Sequence, residues 1–183
     1  LATAQQIAME RSHTVLSPLH LLSALLSDEE GMASMILKKI GSRIERIRQM
    51  TESEMNRLPR GKVSGQIFPD SAFQQVILDA QNKADKMGDE YLSTEHLLLA
   101  LAEVQSDAKE ILSVNSITTN AIEKALKEIR GDARVTDDNP ESKYQALERF
   151  GIDLVELARK GKLDPVIGRD KEIRRCMQVL NRR

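Results

Sequence analysis

Ser17-Pro18-Leu19-His20-Leu21-Leu22-Ser23-Ala24-Leu25 returns 76 residues later as Ser93-Thr94-Glu95-His96-Leu97-Leu98-Leu99-Ala100-Leu101. At this offset residues 4–25 match residues 80–101 at ten of 22 positions, among them Ala4/Ala80, Gln5/Gln81, Ala8/Ala84, Leu16/Leu92 and His20/His96. After a slip of one residue, Ile36-Leu37 matches Ile111-Leu112 and Ile47 matches Ile122. An ordered series of matches over that length is an internal duplication. Two units are too few for an open solenoid, so they are expected to pack face to face about a pseudo-twofold axis around one core.

Each unit reads as four helices. In the first, residues 1–12 are helical and Ser17 caps a second helix with Pro18 at its first position, where the missing N–H costs nothing. Residues 31–40 form a third helix ended by Gly41 in the left-handed conformation. Ser42-Arg43-Ile44-Glu45 reads as a capping box for a fourth, which runs to Leu58-Pro59. A loop with Gly61, Gly65 and Pro69 joins the units. The second unit repeats the order: a helix from Ser71 to Gly88, one capped by Ser93, one over 106–113, and one opened by Asn120-Ala121-Ile122-Glu123 and closed near Gly131. The expected division is residues 1–130 as one all-α domain, with repeats at about 1–58 and 71–130. A polar, flexible linker over 131–142 and a short helical arm over 143–183 follow. In the arm, Asp153 opens a helix closed by Gly161, Lys162–Arg169 is extended, and Asp170 caps a basic helix.

Composition agrees with helices. Of 183 residues only 3% are aromatic, with no Trp, two Tyr and three Phe, which argues against a β-sandwich or barrel. No run of apolar residues is long enough to span a bilayer, so no membrane partner is expected. Leu1-Ala2-Thr3 offers no targeting segment and reads as the start of a truncated chain. The single Cys176 excludes an internal disulfide or a cysteine zinc cage and fits a cytoplasmic setting. Charge is uneven: Arg159–Arg183 holds nine Lys/Arg and three Asp/Glu, +6, so with a total of −1 the first 158 residues carry −7. A basic tail on an acidic body suggests two parts with different partners, although solvated helix faces account for such runs equally well.

Catalytic chemistry is hard to place. His20 and His96 hold matching positions, but no His-Glu-x-x-His or similar ligand spacing accompanies them, and a packed histidine at each helix start is the simpler reading. His13 falls in a turn without an evident role. Asp89-Glu90 and Glu95 bracket the turn before the second copy of the motif, where the first copy has His13-Thr14 and Leu19. This divergence is expected to make one face acidic, for recognition or, at Glu95, for the helix dipole. The pattern Gly-x4-Gly-Lys-Ser/Thr matches nowhere, and no nucleophile elbow or metal cluster is found, so no catalytic residue and no metal site is assigned. The basic tail has no interleaved aromatics, which leaves nucleic-acid binding a weak reading.

These residues carry a family resemblance over essentially the whole chain. The doubled Ser-x-x-His-Leu-Leu units resemble the Clp N-terminal domain. Val135-Thr136-Asp137 through Asn139-Pro140-Glu141 is similar to that family's linker. Tyr144-Gln145-Ala146-Leu147-Glu148-Arg149-Phe150-Gly151 and Gly161-Lys162-Leu163-Asp164-Pro165-Val166-Ile167-Gly168-Arg169 resemble the start of the first AAA+ module of ClpB-type disaggregases. The doubled domain alone fits ClpA, ClpC or ClpB types; the stretch from Tyr144 to Arg183 favours the last.

The resemblance implies a stress-response machine that threads aggregated polypeptide through a homo-hexameric pore, using ATP and Mg, with a DnaK-type chaperone as partner. This chain would be its substrate-engaging domain and tether, ending before the Walker A loop, the coiled-coil middle domain and the second ATPase ring. The family's first helix starts further upstream, so part of its groove wall would lie outside this chain. Substrate contacts are expected from Asp89, Tyr91 and Glu95, with Leu92 as an apolar neighbour or core residue. Pro165, Val166, Ile167 and Gly168 are expected to lie against adenine in the parent, or to strap the tether to the module. An alternative is an adaptor-docking or structural gating domain of a Clp protease-associated unfoldase of the ClpC or ClpA type.

Overall fold

The two Ser-x-x-His stretches open the two helices at the centre of the doubled domain. A computed structural model describes residues 1–61, 67–130, 154–161 and 168–181. The first repeat runs α1 (Ala2–Glu10), β1 (Val15–Leu16), α2 (Pro18–Ser27), α3 (Met32–Ile40) and α4 (Ile44–Met55). The second has α5 (Ser71–Met87), α6 (Thr94–Glu103), α7 (Asp107–Val114) and α8 (Thr119–Arg130), preceded by β2 (Phe68–Pro69). This is the all-α, doubled four-helix architecture expected from the duplication.

Packing follows the pseudo-twofold axis. The equivalent helices α2 and α6 touch each other, α3 lies on α8 while α4 lies on α7, and α3 meets α6 as α2 meets α7. Such reciprocal pairs are what a twofold relation between repeats requires. Leu19, Leu21, Leu22 and Leu26 from α2 and Leu98, Leu99 and Leu101 from α6 are almost wholly removed from solvent. Each buried leucine is worth about 1.5–3 kcal/mol of transfer free energy, so this pair of helices supplies the centre of the core.

Helix ends repeat more faithfully than the sequence does. Ser12 (φ 56°) and Gly88 (φ 70°) end α1 and α5, while Gly41 (φ 83°) and Ser116 (φ 61°) follow α3 and α7. All four occupy the left-handed region, and the next residue closes the same six-residue turn: His13 N–H to Ala8 O, Asp89 N–H to Ala84 O, Ser42 N–H to Leu37 O and Ile117 N–H to Leu112 O, at 2.9–3.0 Å. Each repeat thus uses one glycine and one serine for the two turns, in opposite order.

Several boundaries differ from the sequence reading. Ser42 does not cap α4: Arg43 holds the N-cap place without a side-chain hydrogen bond, Ser42 Oγ is buried with no partner among the described residues, and the Ser42 N–H that Glu45 would take in a capping box closes the turn ending α3. The fourth helix ends at Met55, short of Leu58. Thr118, not Asn120, accepts from the start of α8, through Ala121 N–H at 3.3 Å. The loop between repeats contains a strand: β2 pairs in parallel with β1, Phe68 opposite Val15 and Pro69 opposite Leu16.

Residues Leu1–Tyr144 and Gln145–Arg183 form two separate units. In the second, α9 (Leu154–Arg159) is followed by Gly161 at φ 64°, and α10 covers Asp170–Leu180. Asp170 is its first helical residue and Arg169 takes the cap position, so Asp170 favours the helix by charge at the dipole and not as the cap. The expected linker over 131–142 lies outside the described residues, as does 162–167 of the stretch expected to be extended; the last two residues of that stretch are not extended, Gly168 standing at φ 76° and Arg169 at φ −110°, ψ 26°.

Candidate functional site

The histidines decide how the turns before α2 and α6 are held. Ser17 N–H donates to Nδ1 of His20 at 3.0 Å, and Ser93 N–H donates to Nδ1 of His96 at 3.1 Å. The serine side chains face the backbone of the same histidines, so each pair is a reciprocal capping box with histidine at the position usually given to Glu or Gln. A backbone N–H can only donate. Nδ1 is therefore the acceptor in both rings, and the proton of each neutral imidazole sits on Nε2.

What Nε2 finds differs between repeats. In the first it lies 2.7 Å from Nδ1 of His13. The donation passes the tautomer along, placing the His13 proton on its own Nε2, a buried atom with no hydrogen-bond partner among the described residues. Burial, with the charges of Arg60 and Arg11, lowers the His13 pKa. Burial, then His13 and Arg11, pushes His20 down to about 4. Both rings are neutral at physiological pH.

In the second repeat Nε2 of His96 donates to Oδ2 of Asp89 at 3.0 Å. The other carboxylate oxygen of Asp89 pairs with Arg130, the last residue of α8. Arg130 Nη1 also lies 3.6 Å from Oε1 of Glu95. Asp89, Glu95, His96 and Arg130 are all buried, and Glu95 and His96 have no exposed surface. The acidic face expected from Asp89 and Glu95 is therefore absent. Their charges are turned inward because Arg130 and His96 compensate them there, and an uncompensated carboxylate at such depth would be prohibitive.

Reading the duplication column by column explains the site. His13 occupies the place of Asp89, Leu19 that of Glu95, and, after the one-residue slip, Met55 that of Arg130. All six are buried. One repeat fills the junction with neutral groups, and the other with two carboxylates and a guanidinium. The role of His13 and the involvement of Arg130 escaped the sequence reading; the Met55/Arg130 column was the available signal.

Ser93 Oγ, 2.9 Å from His96 Nδ1, completes a serine–histidine–aspartate series. That nitrogen's lone pair is already taken by Ser93 N–H, and the ring and carboxylate are shut off from solvent, so the series acts as a cap. Among the described residues no three His, Cys, Asp or Glu side chains are placed to hold a metal.

Of the residues expected to meet substrate, Tyr91 reaches the surface, with 42% of its area exposed. Leu92 is partly buried against the core. A separate cleft of about 220 Å³ lies where α2 and α3 meet the start of α6, lined by Leu21, Ala24 and Leu25 of α2, Ala33 of α3, and Thr94 and Leu97 of α6. Gly168 is exposed at φ 76°, while Pro165, Val166 and Ile167 lie outside the described residues.

A doubled helical unit with a serine–histidine cap in each half defines a class. Residues 1–115 match the family model described as the Clp repeat (R) N-terminal domain. The chain belongs to the Clp N-terminal repeat domain family. It is 44% identical over 183 residues to the chaperone protein ClpB of Rhodopirellula baltica, covering all of this chain and 21% of that protein. It thus spans about a fifth of the length of the curated relatives it matches. The Hsp104 N-terminal domain from Candida albicans superposes with a TM-score of 0.65, at 23% identity over 73% of this chain and 88% of that one. The ClpV N-domain in complex with a VipB peptide gives 0.59, at 18% identity, over 74% and 84%. Both likenesses are of fold.

Proposed function

We propose that this chain is the N-terminal, substrate-engaging domain and tether of an ATP-dependent disaggregase chaperone of the ClpB type, which holds unfolded or aggregated polypeptide for threading by the parent hexamer. The observation that carries the reading is the similarity to ClpB chaperones along the entire chain, arm included. The peptide held by the ClpV N-domain, a protein of like fold, supports polypeptide as the ligand class. Tyr91 is the predicted contact at the surface. Asp89 and Glu95 act one step back, by fixing the turn that presents it.

In the parent, a DnaK-type system is the cooperating chaperone, the compartment is the cytoplasm, and ATP with Mg is bound by the AAA+ module that the arm begins. Pro165, Val166, Ile167 and Gly168 are the residues proposed to line its adenine. The phosphate loop that supplies most nucleotide affinity does not occur in this sequence, so the chain by itself is expected to hydrolyse no ATP.

Ordering an unfolded chain consumes most of the gain from apolar burial, so binding should be weak, on the order of micromolar or poorer. Titration of the chain into a fluorescent, permanently unfolded protein tests this. Saturable binding, weakened several-fold by Tyr91→Ala with unchanged thermal stability, is expected. No binding at about a hundred times that concentration would overturn the reading.

A further inference from the structure

Repeat 1 carries an added strand, and among the described residues repeat 2 has none on the matching edge. In repeat 1 the chain between Ser12 and Leu16 is covered by the segment joining the repeats. Gly61 N–H donates to Ser12 O at 2.9 Å, Thr14 N–H donates to Pro59 O at 3.3 Å, and His13 bridges Arg60. Further on, Val15–Leu16 pairs in parallel with Phe68–Pro69, and Asp70 N–H donates to Leu16 O at 2.9 Å. The matching stretch in repeat 2 is Gly88–Leu92. It has the same left-handed turn before it and the same serine–histidine cap after it. Yet among the described residues no backbone hydrogen bond engages Glu90, Tyr91 or Leu92, and no strand forms there.

This edge is not a loose loop. Asp89 is clamped by His96 and Arg130, Leu92 packs on the core, and Ser93 is committed to its cap. Both ends of the three-residue stretch are therefore fixed, so a strand docking on it meets a backbone already held in place. Tyr91 stands where repeat 1 has half-buried Val15 opposite Phe68, and its ring is partly open to solvent.

We propose that Glu90–Leu92 is an open strand edge that takes an extended stretch of unfolded polypeptide as a parallel added strand, in the register that Phe68–Pro69 adopts on Val15–Leu16. This rests on the polypeptide-binding reading above and specifies its mode. The occupant's chemistry follows from the internal template. A large apolar residue lies against Tyr91 in the place of Phe68, proline is accepted at the next position, and the residue after that donates its N–H to Leu92 O as Asp70 donates to Leu16 O. Main-chain bonds make this mode tolerant of sequence, which suits clients that share only their unfolded state.

The test uses the full chain and a peptide copying residues 65–71 (Gly-Gln-Ile-Phe-Pro-Asp-Ser), with and without N-methylation at its aspartate. Backbone amide shifts of 15N-labelled protein report where it binds. The expected result is saturable perturbation centred on Glu90–Leu92 for the parent peptide, and about tenfold weaker binding of the methylated one, the loss of one backbone hydrogen bond. Tyr91→Lys, a charge on an exposed edge position, should reduce binding comparably without altering the spectrum elsewhere. Perturbation centred on another surface, or equal affinity of both peptides, overturns strand addition. So does strong hydrogen-exchange protection of Tyr91 and Leu92 in the free chain, which would mean that another part of this chain occupies the edge. An unfolded protein titrated into the same sample separates the two claims: client binding that leaves residues 90–92 unmoved sinks the mode and spares the function, and its absence sinks the function.

Discussion

The turn before α2 and the turn before α6 are built on one backbone plan with different chemistry inside. Each has a left-handed residue, a six-residue closing bond, a serine cap and a histidine whose Nδ1 accepts from the cap. Around that constant frame the first repeat places His13, Leu19 and Met55, and the second Asp89, Glu95 and Arg130. The frame determines the fold, while the filling must be chosen as a set. A guanidinium in the place of Met55, or a carboxylate in the place of Leu19, is tolerable only where the other changes accompany it.

Arg130 is where a substitution should cost the second junction most. Arg130→Met gives the second repeat the first repeat's residue without its companions, removing the guanidinium that faces buried Asp89 and Glu95. Urea unfolding should show a loss of about 3–5 kcal/mol. A loss below about 1 kcal/mol would mean that the carboxylates find compensation elsewhere.

Acid probes the other junction. The unfolded chain protonates His20 near 6.5, whereas the native ring, held down by burial and by His13, resists until about 4. As pH falls through that window the unfolded state takes up a proton the native state refuses, so stability drops, by about 3 kcal/mol from this residue at pH 4. His20→Gln keeps a capping side chain at the same position and cannot titrate. Its stability should fall less steeply between pH 6.5 and 4 than that of the parent chain, and identical profiles would remove His20 from the account.

The smallest effect concerns the frame. A Cβ built on Gly41 meets nothing within 4 Å, so Gly41→Ala reports only the cost of φ 83° for an L-residue. Calorimetry should find about 1 kcal/mol lost. Ser116, its equivalent, already bears that strain, and Ser116→Gly should be neutral or slightly stabilising, because relief of strain is offset by the greater freedom of the unfolded glycine.

The frame was largely legible in the sequence because periodicity, caps and the duplication all pointed to the same helices. Ser17, Ser93, Gly41 and Gly88 act where local rules place them. Ser42 misled because two local rules met at one residue: it closes the turn ending α3, and α4 starts one residue later than a Ser42 cap requires, with Arg43 at the N-cap. The filling was less legible. Asp89 and Glu95 read as surface charges, since their compensating Arg130 lies far along the chain at the end of α8 and becomes a neighbour only when α8 packs on α6 within the second repeat. His13 was overlooked for a related reason: its partner is on the next helix, and a turn histidine carries no pattern of its own. The strand pair of Val15–Leu16 with Phe68–Pro69 is too short to leave any alternation in the sequence.

The claim that the two junctions are alternative fillings of one frame is tested most directly by transplanting one into the other. The triple variant Asp89→His/Glu95→Leu/Arg130→Met gives the second repeat the complete neutral set, with His96 left to meet a histidine as His20 does. Its unfolding free energy, measured in urea beside the three single variants, should lie within about 1 kcal/mol of the parent chain, although each single change is costly. A triple variant as unstable as the sum of its parts would contradict the account.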